Sequence, residues 1–237
     1  MKNIKTSTAV LWRAICAVAI LTFLVVAIHH SHAADFTLKV IDKEPPKAID
    51  ESIRSKLQPR CAQLLDGEKP AFEFWFNAEL PLQSKPTSLA KALDAVSQTT
   101  LLGAVSVVGA HRDYKDNELA EGIYTMRLGL QPQDGDHLGT ADFLYFAVLV
   151  PAKIDVKLDG LTTYKALTKA SSKGTASNHP VILSLRPATS EEGVMPKLLD
   201  PALDLKAVRV KIPAKVSGEG EKTKLVFDLI YSGMFKK

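Results

Sequence analysis

Residues 122–151 read Gly122-Ile-Tyr-Thr-Met-Arg-Leu-Gly-Leu130-Gln-Pro-Gln-Asp-Gly-Asp-His-Leu-Gly-Thr-Ala-Asp-Phe143-Leu-Tyr-Phe-Ala-Val-Leu-Val-Pro151. From Ile123 to Leu130 the pattern has a period of two. Tyr124, Met126, Leu128 and Leu130 face one way, Thr125 and Arg127 the other. Such alternation predicts a half-buried strand. From Phe143 to Val150 nearly every residue is apolar, which predicts a central strand covered on both faces. Between them lies a polar loop with no helical period. Two strands joined by a loop, rather than by a helix, point to an antiparallel β fold.

The same pattern recurs along the chain. Phe36, Leu38 and Val40 alternate with Thr37 and Lys39. Cys61 to Leu65 and Ala71 to Asn77 flank Asp66-Gly67-Glu68-Lys69-Pro70, which predicts a hairpin. Within the second of these runs Phe72, Phe74 and Phe76 share one face, Glu73 and Trp75 the other. Leu101–Val108, Val181–Leu185, Val208–Ile212 and Leu225–Tyr231 complete about nine strands. Helical spacing is confined to three short patches. These are Ile49/Ile53/Leu57, Leu89/Leu93/Val96 with Thr87 or Ser88 as N-cap, and Leu161–Ser172 closed by Gly174. Thr189 to Leu203 is rich in Pro and poor in strand pattern. The strands are too closely spaced for regular βαβ units, so the expected fold is mainly β, a β-sandwich with short connecting helices.

Residues 1–33 have the parts of an export signal. Lys2, Lys5 and Arg13 form a basic head, Ala14 to Ile28 an apolar run, and Ser31-His32-Ala33 a cleavage site before Ala34. The run is short of the roughly 20 residues that span a bilayer; the alternative is an N-terminal membrane anchor. Residues 34–237 are then expected to form one domain with no membrane span, exported to the periplasm or secreted. The whole chain has 30 Lys+Arg, 26 Asp+Glu and a formal charge of +4. Three of the basic residues leave with the signal, which brings the rest close to neutrality. That excludes nucleic-acid binding as an expectation. Only Cys61 remains after Ala34, so no internal disulfide forms and the fold rests on its core.

No nucleophile elbow, H-E-x-x-H, C-x-x-C, P-loop or dinucleotide fingerprint is present. The densest group of potential ligands is the loop Gln131–Thr140, with Asp134, Asp136 and His137. Mixed oxygen and nitrogen donors suit a divalent Zn or Mn ion. Its other reading is a turn, in which Asp bonds nearby N–H groups and Gly accepts positive φ. His111 and His179 also stand at predicted strand ends, where rims of a sandwich could bring them to His137. Arg127 sits mid-strand among apolar residues. It is expected to pair with an acid such as Asp142 or Asp228 on a neighbouring strand, or to receive a ligand carboxylate or phosphate. Trp75, if exposed, would be a platform for sugar stacking.

Asp113-Tyr114, Gly122-x-Tyr124-Thr125-x-Arg127 and Gln131-Pro132-x-Asp134-Gly135-Asp136-His137-x-Gly139 together resemble a family of exported bacterial proteins with no assigned function. That family reads D-Y-R, P-G-x-Y-T-L-R and Q-P-x-D-G-D-H-M-G. Glu121 stands here for its proline and Leu138 for its methionine; Asn178-His179-Pro180 is similar to a later segment. The resemblance runs from about Leu57 to Gly233 and implies an exported, sandwich-like protein. The leading expectation is a non-enzymatic protein that binds a ligand or partner in the cell envelope. The alternatives are a metal-binding protein or metal-dependent hydrolase at Asp134/Asp136/His137, and a carbohydrate-binding module.

Overall fold

The structure, a computed structural model, describes residues 36–113, 117–131, 143–173, 179–199, 205–218 and 220–232. The described residues form thirteen strands: β1 Phe36–Asp42, β2 Arg60–Asp66, β3 Lys69–Phe76, β4 Leu80–Leu82, β5 Leu101–Val107, β6 His111–Arg112, β7 Glu118–Leu119, β8 Gly122–Leu130, β9 Tyr145–Pro151, β10 Val181–Pro187, β11 Lys197–Leu199, β12 Lys206–Val216 and β13 Lys222–Ser232. Eleven of them form one sheet in the order β1-β2-β3-β5-β8-β9-β10-β13-β12-β11, and β4 adds to β12. Every pairing in it is antiparallel except β4–β12.

The sheet curls until its first and last strands approach one another. Phe36 on β1 meets the ring of Tyr231 on β13 at 5.3 Å, and Phe72 on β3 meets it at 6.0 Å. The two layers expected of a sandwich are thus the two halves of a single curled sheet. Alternation decides what they enclose. Phe72, Phe74 and Phe76, then Tyr124, Met126 and Leu128, point into the main core with Leu183, Val210 and Phe227. Burying each such side chain contributes about 1.5–3 kcal/mol.

The outer face is not left to water. Helix α1, Glu51–Arg54, is one turn capped by Asp50, whose carboxylate accepts from the Ser52 N–H at 2.9 Å. The segment around it lays Ile49, Ile53 and Leu57 over Trp75, Leu101 and Ala104. Helix α2, Tyr164–Ser172, starts at the Thr163 cap and presses Leu167 and Ala170 onto Phe146, Val148 and Val150. Covering both faces explains why β9 is apolar at every position. The expected helix at Leu89–Val96 is instead two 3-10 turns, Leu89–Lys91 and Leu93–Ala95, and Ser88 makes no side-chain cap bond. Leu93 and Val96 still reach the core, so burial was legible there and the helix type was not. The stretch after Thr189 also holds a strand, β11, whose three residues are too few to show a period.

Among the described residues, no helix is long and apolar enough to cross a membrane.

Candidate functional site

Arg127 projects from the outer face of β8 and is only 2% exposed. Its Nε donates to Asp155 Oδ2 at 2.7 Å and its Nη2 to Asp155 Oδ1 at 3.0 Å. Nη2 also donates to the carbonyls of Lys157 (3.1 Å) and Leu158 (2.9 Å), and Nη1 to that of Thr99 (3.0 Å). Thr125, two residues back on the same face, donates its hydroxyl to Asp155 Oδ2 at 2.6 Å. The expected partners are therefore corrected. Asp228 is engaged elsewhere, with Arg186 and Arg209, and Asp142 lies outside the described residues. Asp155 comes from the turn after β9, where Ile154 and Asp155 both donate their N–H to the Pro151 carbonyl. A buried pair of this kind is worth little against an apolar pair, but loss of one partner leaves an unmatched charge.

Next to this frame the backbone is strained. Thr99 has φ +69°, unusual for any side chain and an outlier for a β-branched one. Three bonds hold it there. Its N–H donates to the Leu128 carbonyl at 2.7 Å, its carbonyl accepts from Arg127, and the Leu128 N–H donates to the Thr100 carbonyl at 2.9 Å. Such a conformation costs about 1–3 kcal/mol and persists only where the surroundings over-determine it.

Thr99 lines the lip of a cleft of about 450 Å³ between the loop before β5, the β3–β4 turn and the β9–α2 connection. That volume is in the range of small-molecule sites. Its lining is mixed: Ser97, Gln98, Thr100 and Thr162 stand among Pro81, Leu101, Leu158 and Leu161, with the exposed charges of Lys56, Glu79 and Asp159 at the mouth. Asn77 supports it from below, donating to the Leu101 carbonyl (2.8 Å) and accepting from the Glu79 N–H (3.0 Å). Arg127, its charge matched by Asp155, serves as a rigid floor.

The other sequence candidates lie apart from this cleft. Trp75 is fully buried, and its indole N–H donates to the Lys43 carbonyl at 2.8 Å. The Lys43 ammonium stands 5.8 Å above the ring. This corrects the sugar-stacking expectation: the α1 segment covers the face that a sugar would need. His111, on β6, packs its ring 4.5 Å from that of Phe72, and its Nε2 lies 2.9 Å from the Val108 carbonyl. A carbonyl only accepts, so Nε2 carries the proton. His179 is exposed just before β10. Both histidines belong to the end of the sheet where β8 begins, because β5 ends opposite Gly122 and β10 begins opposite Leu149. Gln131 and Leu144, which close the other end of the β8–β9 pair through a 2.8 Å bond, are the described anchors of the loop. Asp134, Asp136 and His137 themselves lie outside the described residues. Among the described residues, no three His, Cys, Asp or Glu side chains are arranged to hold a metal ion.

Two parts of the cleft had no voice in the sequence. Gln98-Thr99-Thr100 contains none of the Gly, Asn or Asp that usually mark positive φ. Asp155 is a lone acid in an ordinary turn; only the mid-strand charge of Arg127 signalled that a partner must exist. No family model, curated protein or solved structure matches the chain.

Proposed function

We propose that this is an exported, non-enzymatic protein of the cell envelope that holds a small polar ligand in the cleft beside Thr99. The observation that carries the reading is the strained Thr99, clamped between β8 and Arg127 at the lip of a cleft of ligand size. Strain that is not needed for packing is characteristic of binding sites. The mixed lining suits a ligand with both hydrogen-bond donors and acceptors, and the charged mouth suits one of low net charge. Export follows from the reading of residues 1–33.

The cleft can be tested by thermal shift against a panel of small polar compounds. A true ligand raises the Tm of the wild-type protein, by about 3 kcal/mol of stabilisation at a hundredfold excess over Kd. Thr162→Trp, which fills the cleft from an exposed position, removes that rise. An equal rise in the variant would move the ligand elsewhere. Intact mass of the exported protein tests the other half: a chain starting at Ala34 supports export, and one retaining Met1 contradicts signal cleavage.

A further inference from the structure

A second group of charges lies on the outer face of the opposite half of the sheet. Register sets it in a row across four strands: Arg186 on β10 stands opposite Asp228 on β13, Asp228 opposite Arg209 on β12, and Arg209 opposite Lys197 on β11. Asp228 is fully buried and serves both arginines, at 2.8 Å to Arg186 Nη2 and 2.7 Å to Arg209 Nε. One carboxylate is thus shared by two arginines, and a third cation, Lys197, continues the row beyond Arg209. Lys211, one position along, is already matched by Glu191 at 3.2 Å. Like charges directly opposite one another, as Arg209 and Lys197 are, destabilise a sheet unless something offsets them.

The donors in this row are also only partly used. Arg186 spends Nε and Nη2 on Asp228, and its Nη1 has no partner among the described residues. Ser190 and Thr189 accept from Arg209 at 3.0 and 3.3 Å, which leaves the hydrogen of each hydroxyl for another acceptor. Lys197 is exposed, with no partner among the described residues. We propose that this row is an oxyanion site for a phosphate-bearing ligand, bound by Arg186, Lys197 and the hydroxyls of Thr189 and Ser190, with Arg209 held in place by Asp228. Two unbalanced positive charges and donors from several directions favour a dianion with tetrahedral oxygens over a single carboxylate. The site is separate from the Thr99 cleft and stands or falls independently of it.

Calorimetric titration of the full chain with inorganic phosphate, at ionic strength held constant with sodium chloride, tests this. The expected result is saturable binding of one phosphate per chain, weakened about tenfold in Arg186→Gln and in Lys197→Gln, each of which removes a charged hydrogen bond. Both variants keep the Asp228–Arg209 pair, so both remain folded. Lys165→Gln, on exposed helix α2, leaves binding unchanged, and acetate binds at least tenfold more weakly than phosphate. Absence of saturable binding in the millimolar range, equal weakening by Lys165→Gln, or acetate binding as tight as phosphate would each overturn the proposal.

Discussion

Thr99 concentrates the cost of the cleft in one residue. Glycine adopts positive φ without the clash of a β-branched side chain, at an entropic penalty of about 0.5–1 kcal/mol. Thr99→Gly is therefore expected to raise stability by about 1 kcal/mol, since the strain it relieves is about 1–3 kcal/mol. Urea unfolding measures this; a loss of stability would mean that Thr99 is not strained. Asp155 behaves in the opposite way. Asp155→Ala strands the buried Arg127 guanidinium and is expected to cost about 3–5 kcal/mol, whereas Asp155→Leu combined with Arg127→Met costs much less than the single change. Denaturation midpoints of the single and double variants separate the two. The sequence announced this pair by half. An arginine in the middle of an apolar alternation must find an acid, but a partner 28 residues away leaves no local trace. The φ of Thr99 left none at all.

At the level of elements, alternation and apolar runs were a reliable guide because the long strands of the main sheet each have one face in the curled core. β8 was legible down to which side chains point outward, and β9 as a strand covered on both faces, although it begins at Tyr145 rather than at Phe143. Short connections were not, since a single helical turn and a 3-10 turn place the same residues in the core. Where α2 docks, one hydroxyl does what a sequence cannot reveal. The Ser171 Oγ donates to the Leu149 carbonyl at 2.6 Å and accepts from the Val181 N–H at 2.9 Å, inserting the helix between β9 and β10 at a paired position. Ser171→Ala leaves that buried N–H unmatched and is expected to cost about 1–3 kcal/mol. Hydrogen exchange at the Val181 amide should quicken accordingly; unchanged protection there would show that the strands close up without the hydroxyl. Gly103 tells a related story. A Cβ there would stand 2.3 Å from the Trp75 carbonyl, so β5 can lie against β3 only with glycine at that point.

The described residues form a curled sheet wrapped by short segments, and Cys61 among them is a free, buried thiol. Burial pushes the Cys61 thiol up to about 12, with the Glu73 carboxylate adding to the effect. It also pushes the Tyr145 phenol up to about 12, helped by the hydrogen bond to Asp94. Both groups keep a proton in the folded chain that the unfolded chain releases from its ordinary values of 9.0 and 10.0 upward. Stability should therefore be unaffected by these groups below about pH 8 and fall as pH rises from about 9 to 12, by linkage. Unfolding midpoints across that window check the sign, and a rise would contradict the burial of both groups. Alternation along the chain was enough to suggest a mainly β fold with few short helices. It was mute about the cleft, because its walls come from three loops distant in sequence. The central claim is that this cleft receives a ligand. Amide NMR spectra of the labelled protein, titrated with a compound that raises its Tm, test it most directly. The account predicts shifts concentrated at Ser97–Leu101 and Asp159–Thr162; shifts confined to other surfaces would contradict it.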